Sequence, residues 1–247
     1  MRLLLLANDR VGLEISRFLL KFYPDDLGLV VTLGENDIFH ICRAAGRMTR
    51  VFDSDEALVA YLYNNKTQID LGVLAWWPTI IKAPLRDLPR LGFVNTHPSL
   101  LPYNRGKHYN FWAIVEEAPF GVTLHRVDDG IDSGDILAQK NISYDWQDNG
   151  ETLYWRAQCA MVDLFRNTYP KLRECKLKGC PQNLEKGSFH KADELEHASR
   201  INLDMMYTAR ELLNLLRAKT FEGHSGCWFE DNGIRYEVRV DIRRVDK

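Results

Sequence analysis

MRLLLLANDRVGLEISRFLLKF, residues 1–22, sets the expected fold. Residues 2–7 form a continuous apolar run that stops at Asn8-Asp9, the pattern of a parallel strand buried on both faces. Val11, Ile15, Phe18, Leu19 and Phe22 then recur at helical spacing, which makes the first strand–helix unit. Similar units follow. Strands are expected at 27–32, 71–76, 90–97, 121–127 and 136–142, and helices at 37–47, 55–64, 107–117 and 151–168, the last closed by Pro170. Strands alternating with helices predict an α/β fold with a doubly wound, mainly parallel, Rossmann-like sheet.

Beyond this the pattern changes. Residues 171–198 are polar, punctuated by Gly179, Pro181 and Gly187, and weakly periodic, so they read as a linker. Met206, Ala209, Leu213 and Leu216 mark a helix, and Asp231-Asn232-Gly233 marks a tight hairpin because Asn-Gly tolerates positive φ. In its second strand Ile234, Tyr236, Val238, Val240 and Ile242 share one face, and Arg235, Glu237, Arg239, Asp241 and Arg243 the other. The expected organisation is a catalytic domain over 1–175, a linker over 176–200, and a helix with a hairpin over 201–247. A hairpin that small is marginal alone, so it is expected to pack on the main domain or on a second subunit.

Of the 247 residues, 45% are hydrophobic and 27% charged, ordinary for a soluble globular chain. The net charge of -2 argues against a general nucleic-acid binder. No apolar run approaches the length of a membrane span, and the first residues lack a signal-peptide pattern, so the cytoplasm is the expected compartment. The five cysteines form no CxxC pair and are expected to be reduced thiols. The first strand leads into Asn8-Asp9-Arg10-Val11-Gly12 with a single glycine, where a dinucleotide enzyme would carry GxGxxG; no P-loop occurs either.

GFVNTHPSLLPYNRGKHYNFW, residues 92–112, carries the chemistry. On a strand, Asn95 and His97 point to one face while Thr96 points away. Both sit at the carboxyl end of a strand, where open α/β sheets place ligands, and Pro98 keeps His97 extended. A second segment, HRVDDGIDSGDI (125–136), holds Asp132 in a loop between Gly130 and Gly134, from which its carboxylate could orient His97 and raise its pKa. One His, one Asp and a neutral Asn are a poor metal set, so no metal is expected.

These motifs together resemble the folate-dependent formyltransferases. The resemblance rests on Asn95-x-His97, Ser99-Leu100-Leu101-Pro102 and Asp132-Ser133-Gly134, and covers about the first two thirds of the chain. It implies formyl transfer from 10-formyltetrahydrofolate to an amine, with Asn95, His97 and Asp132 as the catalytic set. It implies a pterin pocket from Trp76, Leu100, Leu101, Pro102, Asp128, Gly130 and Ile131.

Within that family the variant after LLP and the stretch LLNLLRAKTFEGHSGCWFEDNG (212–233) are similar to the nucleotide-sugar N-formyltransferases, whose helix–hairpin appendage is commonly a dimer contact. The tRNA-directed members carry a larger C-terminal domain. The resemblance therefore implies a homodimer acting on a small-molecule nucleotide sugar, dTDP-4-amino-4,6-dideoxyglucose first among them. A dTDP-3-amino sugar, a UDP-4-amino pentose and a non-catalytic binding module stay open as alternatives. Substrate contacts are expected from Asn8 and Arg10 on pyrophosphate, from Trp77, Asn104 and Arg105, and from Phe221 and Trp228 stacking on the base.

Overall fold

The computed structural model describes residues 1–245, so the end of the 201–247 segment lies outside the described residues. The chain divides into two compact units interleaved along the sequence. One comprises Met1–His97, Thr123–Gln139 and Met161–Pro181; the other comprises Pro98–Val122, Lys140–Ala160 and the remainder from Gln182.

The first unit is built on the sheet. Its elements are β1 (Leu3–Ala7), α1 (Asp9–Phe22), β2 (Leu27–Thr32), α2 (Asp37–Ala44), β3 (Thr49–Val51), α3 (Asp55–Asn64), β4 (Leu71–Ala75) and β5 (Phe93–His97). With β7 (Gly121–Arg126) and β8 (Ile136–Asn141) they give the order β3-β2-β1-β4-β5-β7-β8. The pairs from β3 to β5 are parallel and β5–β7 is antiparallel. Chain direction across the sheet reverses between β1 and β4, so their carboxyl ends form the switch point of a doubly wound fold. Every β1 residue is fully buried, as the unbroken apolar run requires.

Local chemistry sets the boundaries. Asn36 Oδ1 accepts the Ile38 and Phe39 N–H groups at 3.1 and 3.2 Å, and Ser54 Oγ accepts the Ala57 N–H at 3.1 Å, which start α2 and α3. Gly92 has φ 71°, so β5 begins at Phe93 and the expected strand loses its first three residues to a turn. A Cβ on Gly72 would overlap the Phe93 ring paired beside it, so glycine at 72 lets β5 lie flat on β4.

One boundary differs from expectation. Helix α5 (Gly150–Arg173) runs past Pro170. Beyond the proline, Arg173 Nε donates to Asp26 Oδ2 at 2.7 Å, and the same oxygen accepts the buried Tyr169 hydroxyl at 2.7 Å. Two anchors on one buried carboxylate hold the turn that the missing N–H weakens.

The second unit contains β6 (Arg105–Gly106), α4 (Tyr109–Val115), the start of α5, β9 (Phe189–His190), α6 (Glu194–Ala198), α7 (Ala209–Ala218) and the hairpin β10 (Cys227–Asp231) with β11 (Ile234–Val238). The expected linker is therefore partly ordered: β9 pairs in parallel with β6, and the Trp112 and His190 rings stack at 3.7 Å. A Cβ on Gly187 would overlap the Pro102 carbonyl, so the two backbones touch there. A capping box between Thr208 and Glu211 starts α7, and Met206, expected within it, lies before the cap and is 97% exposed. Among the described residues the apolar side chains of β11 stay exposed at Ile234 and Tyr236, the latter stacked on Phe229. All five cysteines are free, and burial pushes the Cys42 and Cys227 thiols up to about 11 and about 12.

Candidate active site

The Asn95, His97 and Asp132 side chains meet at one carboxylate oxygen of the first unit. Strand β5 ends at His97, and its alternation turns Asn95 and His97 to one face. Thr96, facing away, accepts the Trp76 N–H at Oγ1 (2.8 Å) and donates to the Leu74 carbonyl (3.0 Å). It thereby ties the tip of β5 to the end of β4. Trp76 itself takes a left-handed φ of 58°, so the chain turns sharply at the mouth of the switch point.

Asp132 arrives on a loop that folds back on itself. Asp128 Oδ1 accepts the Gly130 N–H at 3.1 Å and the Ser133 hydroxyl at 2.8 Å. The glycines are needed for close approach: a Cβ on Gly130 would overlap Ser133 Oγ, and one on Gly134 the Arg126 carbonyl. The left-handed residue of the loop is Asp132 itself, at φ 51°. A non-glycine residue held there stores strain of the kind found at functional positions.

Asp132 Oδ1 lies 3.3 Å from His97 Nδ1, 3.4 Å from Asn95 Nδ2 and 3.5 Å from His125 Nε2. His97 and His125 are buried, and the Asp132 side chain is 13% exposed. Burial pushes the Asp132 carboxyl up, but the charge and hydrogen bond of the neighbouring His97 win and hold it well below the ordinary carboxylate value. The carboxylate is therefore an anion at neutral pH. It fixes Nδ1 of His97 and directs Nε2 to the opposite side of the ring, as a base-and-orienter pair requires.

His125 was not singled out from sequence. It lies on β7 directly opposite Asn95, with Asn95 Nδ2 3.2 Å from its Nε2. The available signal was a histidine inside the expected strand 121–127, which the structure pairs with the Asn-x-His strand. Its presence also alters the metal argument, because His97, His125 and Asp132 bring three ligand atoms within 4.8 Å of one another. Asn95 Nδ2 occupies the space beside two of those atoms.

The other expected residues divide. Asn8 and Arg10 lie at the start of α1, with the Asn8 N–H bonded to the Ala75 carbonyl at 3.1 Å. Trp77 is 8% exposed and packs edge-on against Phe52 in the apolar core, so its ring supports the fold. Ile131 is exposed on the Asp132 loop.

In the second unit, Leu101 is buried, with Leu100 and Pro102 partly so. Asn104 is fully buried; its Nδ2 donates to Glu116 Oε2 at 2.9 Å and Ser188 Oγ at 3.2 Å, which makes it a brace between the loop and the stretch before β9. The Arg105 guanidinium lies over the Phe189 ring. Trp228 is flanked by Arg235 at 3.9 Å and Arg200 at 5.4 Å. Phe221, by contrast, lines a cavity of about 610 Å³ together with Tyr109, Tyr154, Trp155, Lys107 and Lys219. That volume suits a nucleotide-sized ligand, and aromatic faces beside cations suit a base carrying phosphate.

Comparison with known proteins points the same way. Residues 27–167 match the formyl transferase family model, and residues 194–244 match an N-formyltransferase dimerization C-terminal domain. The chain is 30% identical over 148 residues to a dTDP-4-amino-4,6-dideoxyglucose formyltransferase of Mycobacterium bovis. That match covers 60% of this chain and 63% of the relative's length. Among solved structures, a 4-N formyltransferase from Francisella tularensis superimposes with a TM-score of 0.82 at 22% identity, covering 99% of this chain and 98% of that one. An N-formyltransferase from Helicobacter canadensis, in complex with folinic acid and dTDP-3-aminofucose, gives 0.72 at 20% identity, covering 94% and 85%. With the family model spanning more than half its length and a doubly wound sheet bringing Asn95, His97 and Asp132 together, this chain belongs to the formyl transferase family.

Proposed function

We propose that this protein is a folate-dependent N-formyltransferase that formylates a dTDP-4-amino-4,6-dideoxyhexose, with dTDP-4-amino-4,6-dideoxyglucose as the leading candidate. The observation that carries this reading is the convergence of Asn95, His97 and His125 on Asp132 Oδ1. Its support in specificity is the family match together with the Phe221-lined cavity.

10-Formyltetrahydrofolate supplies the formyl carbon when bound. The residues proposed to hold its pterin are Trp76, Leu100, Leu101, Pro102, Asp128, Gly130 and Ile131, an apolar set with turn backbone for polar edges. In the transfer the sugar amine forms the new C–N bond, the bond from carbon to the folate nitrogen breaks, and one proton moves from the amine to that nitrogen. Asn95 donates an N–H to the formyl oxygen as negative charge grows there, stabilisation worth about 3 kcal/mol per donor. His97, oriented through Nδ1 by Asp132, relays the proton through Nε2, a contribution of about 10²–10⁴-fold. The anionic Asp132 stabilises His97 whenever it carries that proton.

Asn8 and Arg10, where α1 begins, are proposed to meet the pyrophosphate, since helix N-terminal N–H groups favour anions. Phe221 is proposed to stack on the base, and Arg105 to contact sugar or phosphate oxygens. The product would serve surface polysaccharide synthesis, in which formylated amino sugars are consumed. A cytoplasmic homodimer through the C-terminal hairpin completes the proposal. It fits the dimerization-domain match, the exposed face of β11, and the fact that no described helix is long and apolar enough to cross a membrane.

The second reading places the amine at C3, as in the dTDP-3-aminofucose held by the Helicobacter canadensis complex. A panel of dTDP- and UDP-linked 3- and 4-amino sugars, assayed with 10-formyltetrahydrofolate by folate absorbance, decides it. Highest turnover is expected with the dTDP-4-amino sugar. Preference for a 3-amino sugar would reassign the substrate, and formate release without any amine would make the protein a hydrolase.

A further inference from the structure

We propose that His125 is a positioning residue that fixes which end of the Asn95 amide faces the reaction. This rests on the proposed role of Asn95 as donor to the formyl oxygen. His125 is 2% exposed, and its Nδ1 lies 2.8 Å from the Arg126 carbonyl oxygen. A carbonyl only accepts, so Nδ1 carries a proton, and in the neutral ring Nε2 then presents a lone pair. That lone pair lies 3.2 Å from Asn95 Nδ2. The second acceptor near the amide is Asp132 Oδ1, at 3.4 Å.

Two acceptors face one end of the Asn95 amide, and only its nitrogen satisfies both. Turned over, the amide would set Oδ1 against a lone pair and a carboxylate, a buried acceptor–acceptor contact. Of the two N–H groups, the one on His125 is the shorter contact and acts as the anchor. The one toward Asp132 is long and poorly committed, so it can pass to an oxygen that gains charge during reaction. A proton on His125 Nε2 would reverse the arrangement. Nε2–H would turn to Asp132, 3.5 Å away, and would repel the Asn95 N–H. The direction of the Asn95 donor is thus set by the tautomer of a ring across the strand pair.

The test uses two variants and one spectrum. Gln at 125 can place an acceptor near the Nε2 position; Leu removes it. His125→Gln is expected to keep kcat within about tenfold of the parent, and His125→Leu to lose about 10²-fold, the cost of one misdirected donor. KM for both substrates should stay unchanged, because ground-state contacts are untouched. Equal losses in the two variants, or a loss confined to KM, would overturn the proposal. Nitrogen-15 NMR of the side chain in the ligand-free parent protein is expected to show Nδ1 protonated and Nε2 bare, with the Nε2 resonance shifting in Asn95→Ala. An Nε2–H tautomer rejects the proposal even if His125→Leu fails to fold. The spectrum needs no turnover, so a parent protein inactive toward every amino sugar would sink the functional reading and leave this one to be judged separately.

Discussion

Asn95 and His125 stand directly opposite each other on antiparallel strands, and the amide nitrogen of the first lies 3.2 Å from the ring nitrogen of the second. The proposed catalytic amide is thereby tied across the boundary between the parallel part of the sheet and the strand that reverses it. Asp132 closes the group from a separate loop.

Removal of the imidazole should separate chemistry from folding. His97→Ala is expected to lower kcat by about 10²–10⁴-fold while the circular dichroism spectrum keeps the parent's shape, with a fall in Tm because Asp132 loses a partner. A rate within a few-fold of the parent would remove His97 from the mechanism.

Acid should reveal how far Asp132 depends on His97. Burial acts to raise its pKa, but His97 holds it below the ordinary value, so the folded state binds fewer protons than the unfolded one. Stability from this group is therefore present above the unfolded pKa of about 4 and is lost as pH falls below it. Asp132→Asn should have a lower Tm than the parent near neutral pH, and the gap should narrow in acid. A gap constant with pH would mean that the charge contributes nothing.

Phe221 and Trp228 should behave differently. Phe221 faces the cavity, whereas two guanidinium groups already flank the Trp228 ring. Phe221→Ala is expected to raise KM for the sugar nucleotide by about 10–100-fold, in line with one lost stacking contact, and to spare KM for folate. Trp228→Ala should leave both KM values near the parent. The reverse pattern in steady-state kinetics would hand the base to Trp228.

The bare face of β11 should hold two copies together. Ile234 and Tyr236 are 55% and 44% exposed within the chain. Replacing both with lysine is expected to turn a dimer into a monomer in sedimentation velocity. A parent chain that sediments as a monomer at every concentration would refute the contact.

Much of this was legible in the sequence because strand alternation and apolar runs are local signals. Leu3–Ala7 could hardly be anything but a buried strand, and Asn95 with His97 followed from alternation alone. What escaped depended on partners distant in sequence. Pro170 looks like a helix stop until Asp26 is seen to anchor both Tyr169 and Arg173. Asn104 looks like a ligand for sugar until Glu116 and Ser188 are seen to take its amide nitrogen. The expected second strand of the hairpin ran to Ile242, but β11 stops at Val238, so Val240 and Ile242 lie beyond it; and periodicity carries no information on whether the surface covering Ile234 and Tyr236 belongs to the same chain. His125 showed as a histidine on an expected strand, but only strand register sets it beside Asn95.

Gly187 carries one last implication. Its backbone leaves no room beside the Pro102 carbonyl, so a methyl group at 187 would shove the Leu-Leu-Pro segment from behind. With Leu100, Leu101 and Pro102 in the proposed pterin pocket, a substitution far along the chain, in a stretch that reads as mere spacer, is expected to register as weakened folate affinity. Anyone transplanting the C-terminal region between relatives would inherit that grip, and a graft bearing alanine there would fail for a reason found nowhere in the catalytic set.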